Sequence, residues 1–180
     1  MLSVYKVLLI RLTNLDNLIV NSVRTHLMNM GFEVEVNEEI FHLNAELFNW
    51  ERWQYNADKL LQLVKLTFER YPYDAVIGIG EADGFSDGLN FVFGLSTKKY
   101  GLVFLSRLKE EFYGRVINSS LYIERTLKEV THELGHTLGL GHCNNKECVM
   151  NFSVSVEDVD KKGKYFCTSC SDKLNINNKS

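Results

Sequence analysis

The chain has 180 residues, of which 45% are hydrophobic and 24% charged, a balance typical of one folded globular domain. Its net charge of −3 argues against a protein that binds the phosphates of DNA or RNA. The longest apolar runs, at residues 7–10 and 102–105, have four residues each, whereas a membrane span needs roughly 20. The N-terminus lacks the basic start and long apolar run of a signal peptide, so we expect a cytoplasmic protein that does not contact membranes.

The first forty residues are predicted to form a strand–helix–strand unit. Residues 4–12 are apolar enough for a central strand. Asn14 or Asp16 can cap the following helix, and Gly31 stands where that helix is expected to end. Residues 32–37 then alternate apolar and polar side chains, as a half-buried strand does. The helix carries an apolar stripe of Leu15, Ile19, Val23, Leu27 and Met30.

One more helix and three more strands are predicted in the middle of the chain. Residues 50–70 have an amphipathic pattern that predicts a helix ending before Pro72, the only proline. Residues 74–80 predict a buried strand, and residues 91–96 and 101–106 predict two strands joined by a short hairpin connection. The core-facing side chains of the helix are Leu60, Leu61, Val64 and Phe68.

Three expectations concern residues to which no function is assigned. His26 and His42 are expected to be surface histidines. The segment after Asp172 is polar, and we expect it to be frayed, as chain ends commonly are.

A cluster of metal-binding residue types is the most informative feature of the sequence, because all four cysteines and three of the five histidines lie between residues 132 and 170. Residues 132–142 have the pattern H-E-x-x-H-x-x-G-x-x-H. On a helix with about 100° per residue, His132 and His136 differ by roughly 40°, so both imidazoles can reach one metal ion. The opposite face, which can anchor the helix in the core, carries Leu127, Val130, Leu134 and Leu138.

His142 can join these histidines only if the helix ends before it. Ten further helical residues would carry it about 15 Å from His132, whereas zinc ligands lie about 2 Å from the metal. Gly139 can adopt a positive φ and end the helix, and Gly141 eases the approach. Three histidine ligands leave one zinc position for water, as in catalytic sites. Glu133 lies beside this site and can act as general base and then as proton shuttle to the leaving amine.

The residues that follow the third histidine carry a family resemblance. Cys143 comes directly after it, then Cys148 and Met150, and a Cys-x-x-Cys pair begins at Cys167. With the histidine motif, this pattern resembles the archaemetzincins, a branch of the metzincin zinc metallopeptidases. The stretch between Met150 and Cys167 has 16 residues, one fewer than the family pattern, which a surface-loop deletion would explain.

The resemblance implies an α+β fold of the zincin type: a mixed twisted β-sheet with packed helices, an active-site helix and a small zinc-braced C-terminal part. It implies a single metallopeptidase domain over residues 1–180, divided into an N-terminal subdomain (1–141) and a C-terminal subdomain (142–180). It also implies that Met150 forms a Met-turn, an apolar floor under the imidazoles that does not bind zinc. An ordinary core methionine is the alternative.

The four cysteines fit a second, structural metal site. Cys167 and Cys170 have the spacing of a zinc knuckle, and Cys143 and Cys148 form a slightly wider pair, so the four thiolates can hold one zinc ion. Two disulfide bonds are the alternative, which the expected reducing compartment disfavours. A redox Cys-x-x-Cys is a third reading, but the expected βαβ context is missing. The resemblance implies zinc here, so we expect two zinc ions per chain, one catalytic and one structural.

The sequence therefore predicts a zinc metallopeptidase that hydrolyses peptide bonds with a zinc-bound water activated by Glu133. In metzincins the strand at the upper rim of the cleft runs antiparallel to the substrate and pairs with its backbone. Residues 90–96 are the matching edge strand, although a plain sheet strand is an equal alternative. Aminopeptidase action is compatible with the family, but no residue identifies a pocket for an α-amine. The substrate-binding candidates on this strand are Phe91, Val92, Phe93 and Gly94.

Two other functions fit parts of the pattern. A non-catalytic zinc-binding module on a metzincin frame would keep the ligands, but metal binding alone does not require Glu133. A nucleic-acid-binding finger would use the four cysteines, but the chain is acidic and Lys161, Lys162 and Lys164 are the few basic residues nearby. We expect a peptide or protein substrate, no nucleic-acid partner and a monomer.

Overall fold

The computed structural model describes residues 1–177, which form eight strands and five α-helices. In chain order these are β1 (Lys6–Arg11), α1 (Asn17–Asn29), β2 (Glu33–Ile40), β3 (Phe48–Asn49), β4 (Gln54–Asn56), α2 (Ala57–Phe68), β5 (Ala75–Gly80), β6 (Gly84–Phe85), β7 (Gly94–Ser96), β8 (Tyr100–Phe104), α3 (Ser119–Thr137), α4 (Val156–Lys161) and α5 (Thr168–Leu174). No helix in this part of the chain is both long and apolar enough to cross a membrane.

A five-stranded sheet in the order β2-β1-β5-β8-β7 forms the centre of the fold. The first four of these strands run parallel, and β7 pairs antiparallel with β8 at one edge. Helices α1 and α3 pack on one face of the sheet, and α2 packs on the other. A small sheet of β3, β4 and β6 lies beside it. This is the α+β arrangement with a mixed sheet that the family resemblance implies.

The predicted strand–helix–strand unit at the N-terminus is confirmed. Asp16 caps α1, because its Oδ1 accepts a hydrogen bond from the N–H of Leu18 at 2.8 Å. Gly31 follows the helix with a φ of +96°, the left-handed conformation that glycine adopts without strain. The two strands β1 and β2 then pair in parallel, which places α1 as the crossover between them.

The predicted helix over residues 50–70 is wrong in its first third. The structure has a hairpin of β3 and β4 there, and α2 begins only at Ala57. Asn49 Oδ1 accepts hydrogen bonds from two backbone N–H groups of the turn, and Asn56 caps α2. These local side-chain bonds compete with helix formation and override the amphipathic pattern. The predicted core face is buried, as expected, at Leu60, Leu61, Val64 and Phe68.

Two further expectations are wrong. His26 is buried, because it lies on the face of α1 that packs against α3, where its Nε2 is 3.2 Å from the hydroxyl of Thr131. His42 is exposed, as expected. The segment after Asp172 is ordered as far as residue 177, with Leu174 buried and its carbonyl accepting a hydrogen bond from a tyrosine hydroxyl near the N-terminus. Residues 178–180 lie outside the described part of the chain.

Candidate active site and metal centres

Helix α3 places two histidines of the motif at the floor of a cleft. The side chain of Asn118 caps its N-terminus by accepting a hydrogen bond from the N–H of Leu121 at 3.0 Å. Of the predicted anchoring residues, Leu127, Val130 and Leu134 are buried in the core, whereas Leu138 is half-buried against it. Helix α3 ends at Thr137, and Gly139 has a φ of +102°. The chain therefore turns back after the helix, as the motif predicts, and brings His142 to the same cleft.

The three histidines of the motif converge. One nitrogen of each ring lies within 4.8 Å of the corresponding nitrogens of the other two, and the Nε2 atoms of His132 and His136 are 3.1 Å apart. The Nδ1 atom of His132 is 2.8 Å from the carbonyl oxygen of Val149, and that of His136 is 2.8 Å from the carbonyl oxygen of Leu140. A ring nitrogen beside a carbonyl must carry the proton, so Nε2 of each ring keeps its lone pair for a metal. With His142, three nitrogen donors are available, and this set fits zinc.

Burial favours the metal-binding form of the first histidine. It lowers the pKa of His132 well below the ordinary value, and the positive charge of the nearby Lys162 lowers that pKa further. The imidazole is therefore neutral at pH 7, and neutral imidazole is the form that coordinates a metal.

Glu133 faces the edge strand β7, beside the histidines but outside their group. Its Oε2 accepts a hydrogen bond from the hydroxyl of Ser96 at 2.6 Å. A Cβ atom on Gly94 would come within 2.5 Å of Glu133, so glycine allows the strand to approach this closely. Burial raises the pKa of Glu133 to about 8, against the opposing effect of the Ser96 hydrogen bond. A carboxylate with this pKa is a stronger base than an exposed glutamate.

The cleft above these residues has a volume of about 650 Å³. Residues 89–98 line one side, and Phe152, Ser153 and Val154 line the other. The first of these walls contains every substrate-binding candidate named above. It includes β7, which lies at the edge of the sheet, although the regular strand covers only Gly94–Ser96.

A buried ion pair that no sequence prediction included lies behind the first histidine. Lys162 Nζ is 2.9 Å from Glu129 Oε1 and 3.3 Å from Nδ1 of His132. The two charged side chains are only 1% and 4% exposed. The helical spacing could have revealed Glu129, which stands three residues before His132 and lines the cleft. Lys162 gives no comparable signal, since 30 residues separate it from His132.

Met150 lies against the helix that carries the histidines. Its side chain is fully buried, and a Cβ atom on Gly135 would collide with its Sδ. Gly135 stands between the two helical histidines, so the thioether packs directly beneath this stretch of α3. The carbonyl of Met150 also accepts a hydrogen bond from the N–H of Cys143 at 2.9 Å, which links this turn to the first of the four cysteines.

The four cysteines form a second group, in which the sulfur atoms lie within 4.8 Å of one another. All four are free thiols, and the Cys143–Cys167 and Cys148–Cys170 sulfur pairs are each 3.8 Å apart. A disulfide bond requires about 2.05 Å, so the disulfide alternative does not describe this structure. Four thiol groups converging on one point are the donor set of a structural zinc site.

Comparisons with known proteins agree on one family. A family model described as "Peptidase family M54" matches residues 3–176 of the chain. The chain is 46% identical over 170 residues to the archaemetzincin of Saccharolobus solfataricus, with 94% of this chain and 92% of that protein covered.

Two solved structures have a fold similar to that of this chain. One is the crystal structure of archaemetzincin from Methanopyrus kandleri, with a TM-score of 0.81, 36% identity and coverage of 95% of this chain and 93% of that one. The other is the crystal structure of a zinc-dependent peptidase from Methanocorpusculum labreanum, with a TM-score of 0.81, 27% identity and coverage of 94% and 100%. The similarity therefore extends over nearly the whole of each chain.

Proposed function

Because the chain belongs to peptidase family M54, the archaemetzincins, and is therefore a zinc metallopeptidase, we propose that His132, His136 and His142 hold its catalytic zinc and that Glu133 is its general base. One observation carries this proposal. Three imidazole nitrogens converge within 4.8 Å at the floor of the cleft, and the buried carboxylate lies beside them without belonging to the group.

Glu133 is positioned to move a proton. A bound zinc ion supplies Lewis acidity, which polarises the substrate carbonyl and makes a water molecule more acidic. Ser96 occupies Oε2 of Glu133, so Oε1 remains to take a proton from the attacking water. Glu133 then gives this proton to the leaving amine, which requires a carboxyl group whose pKa lies near the working pH. The raised pKa of Glu133 supports this role.

The substrate backbone is proposed to pair with the open edge of β7. Phe93 accepts a hydrogen bond from Phe104 of β8, and Thr97 donates one to Tyr100. Because backbone groups alternate between the two edges of a strand, the N–H and C=O groups of residues 94 and 96 point away from β8. An added antiparallel peptide strand can use these groups. The bound peptide would then lie next to Glu133, because Gly94 and Ser96 both contact this residue.

The other candidates on this wall contribute in a different way. The N–H of Val92 donates to the carbonyl of Gly84, and the carbonyl of Phe93 is engaged by β8. We therefore propose that Phe91, Val92 and Phe93 shape the cleft wall, while Gly94 contributes backbone hydrogen bonds to the peptide.

We further propose a second zinc ion, held by the thiolates of Cys143, Cys148, Cys167 and Cys170 with no open position. Such sites are structural. Met150 lies between the two centres in the chain and is proposed as the Met-turn, an apolar support under α3 that does not bind metal.

Digestion of a peptide library with and without chelator tests this function. Wild-type protein is expected to cleave peptides, and the chelator to stop cleavage. The Glu133→Gln variant keeps the shape of the side chain and is expected to retain its zinc and its melting temperature. Its turnover should fall by about 10²–10⁴-fold, the typical value of a general acid–base group.

Glu124→Gln, on the same helix, is the matched control and should cleave like the wild type. Near-wild-type turnover of Glu133→Gln would exclude this residue as the base. A wild-type protein that holds zinc at the histidines and cleaves no peptide would instead be the non-catalytic binding module.

A further inference from the structure

An exposed group of aromatic side chains lies on the hairpin of β3 and β4. Trp50 and Trp53 are 68% and 70% exposed, and both rings contact Phe48 edge-on, with centroids 4.9 Å and 6.1 Å away. We call these three residues, together with Tyr55, whose ring also contacts Phe48 edge-on, the aromatic hairpin. Soluble proteins rarely expose clustered large apolar groups unless the surface binds something.

The backbone at Trp53 is in an unfavourable conformation for a large residue. Its φ of +55° lies in the left-handed region, where glycine or asparagine is usual at the end of a hairpin turn. A tryptophan in this conformation destabilises the folded state, whereas a glycine would not. The tryptophan is therefore not explained by the needs of the turn, and such outliers cluster at binding sites.

The aromatic hairpin is fixed to one end of the cleft. Arg52 donates hydrogen bonds to the carbonyls of Leu89 at 2.7 Å and Asn90 at 3.0 Å. Gln54 donates to the carbonyl of Asn90 at 3.0 Å. Leu89 and Asn90 belong to the cleft wall, and Leu89 is itself 54% exposed. These hydrogen bonds attach the hairpin that bears the tryptophans to the cleft wall.

The direction of β7 determines which part of a substrate reaches this surface. The wall runs from Leu89 to Ser96 in chain order, so a peptide antiparallel to it runs from Ser96 towards Leu89. Its residues C-terminal to the scissile bond therefore approach the aromatic hairpin. Leu89 precedes Gly94 by five residues, so the hairpin would meet a substrate residue several positions beyond the bond, past the part of the peptide that pairs with Gly94–Ser96.

We propose that the aromatic hairpin is a secondary substrate-binding site for an apolar or aromatic side chain on the C-terminal side of the scissile bond, outside the cleft. This inference rests on the proposed function, because the occupant is the peptide substrate itself. It predicts that the enzyme prefers chains that extend well beyond the cleavage point in the C-terminal direction.

Intrinsic fluorescence tests binding without turnover, because both tryptophans of the chain lie in the aromatic hairpin. The Glu133→Gln variant is titrated with two peptides of equal length, whose C-terminal extensions contain phenylalanine and leucine in one and serine in the other. The apolar peptide is expected to shift the emission to shorter wavelength and to bind about 3–10-fold more tightly, the worth of an aromatic contact. Saturating binding of the apolar peptide without an emission change would overturn the proposal.

Variants test the site in the active enzyme. Trp53→Gly suits the positive φ, so we expect its melting temperature to be equal to or above that of the wild type. Its kcat/KM should fall about 3–10-fold for the apolar extended peptide and stay unchanged for the serine-extended peptide. Leu66→Ala removes an exposed apolar group from α2, away from the cleft. It should leave kcat/KM unchanged for both peptides.

Three results would overturn the proposal: an equal loss on both peptides, no loss on either, or a preference only for N-terminal apolar extensions. A wild-type protein that cleaves no peptide would contradict the proposed function instead. The fluorescence titration would still decide whether the aromatic hairpin binds apolar peptide segments.

Discussion

Lys162 and Glu129 depend on each other at the base of the cleft. Neither side chain is exposed enough to be solvated, so each charge is tolerated only because the other lies 2.9 Å away. Lys162 also lies 3.3 Å from the carbonyl oxygen of Asn151, just after the proposed Met-turn. The pair therefore connects α3 to the segment that follows the third histidine.

Replacing one member of this pair is expected to be costly. Lys162→Met should destabilise the protein by about 3–5 kcal/mol, because Glu129 remains as a buried carboxylate without its partner. The double variant Lys162→Met/Glu129→Leu removes both charges and should recover much of this loss. Denaturant unfolding of the three proteins measures the effect. A double variant no more stable than the single one would show that the pair itself is not the cause.

At the scale of elements, helix α3 shows what the sequence could predict. Its ligands follow the helical repeat, its buried side follows from the opposite face, and its end follows from Gly139. Each of these features depends on neighbours within a few residues. The approach of Gly94 and Ser96 to Glu133 joins positions almost forty residues apart, and no local pattern records such a contact.

The hairpin of β3 and β4 shows the opposite case. Its apolar spacing resembles that of a helix and therefore predicts residues 50–56 as the first part of α2. The decisive bonds come from Asn49 within the turn and from Arg52 to the distant cleft wall. Periodicity detects which residues are apolar, but it does not show whether the backbone bonds of a segment are satisfied locally or by another element.

The cysteine-bearing segment is tied to the histidine site by short links. The carbonyl of Val149 lies 2.8 Å from Nδ1 of His132, and the N–H of Val149 donates to Tyr165 at 3.0 Å. Cys148 immediately precedes Val149, and Cys143 immediately follows the third histidine. A metal bound to the cysteines would therefore fix both ends of the loop that positions the histidines.

Cys170→Ser is expected to weaken both centres, although every histidine is intact. A structural zinc site is worth about 10 kcal/mol or more, comparable to the whole stability of a domain. The variant should melt at a lower temperature and bind zinc at the histidines more weakly, as measured by a melting curve and a zinc titration. Lys173→Ala, on the exposed side of α5, is the control. Unchanged melting and unchanged affinity in Cys170→Ser would mean that the two centres are independent.

At the scale of the whole molecule, the cleft is assembled from three distant parts of the chain. The sheet contributes β7 as one wall, α3 forms the floor, and residues after α3 supply His142 and the opposite wall. The proposed division between residues 1–141 and 142–180 thus runs between two proposed ligands of one metal. Neither part alone holds all three histidines, so we expect catalysis to depend on the fold of the entire domain.

The two proposed zinc ions should differ in how easily they are lost. The histidine site opens into the cleft, and the half-exposed and exposed rings of His136 and His142 let a chelator approach. The thiolates of the cysteine site leave no open position, and Cys148 and Cys170 are buried. Elemental analysis should find two zinc ions per chain, and mild chelation should remove one of them together with activity while most of the thermal stability remains.

His142→Ala provides the matched control, because it should lack only the labile zinc ion. The second ion should leave only when the chain unfolds or the chelator is strong, since its loss removes the support of the C-terminal segment. One zinc ion per chain, simultaneous loss of two, or activity that survives removal of the first would each contradict this assignment. The order of loss follows from exposure and ligand type alone, so it tests the two centres independently of any knowledge of the substrate.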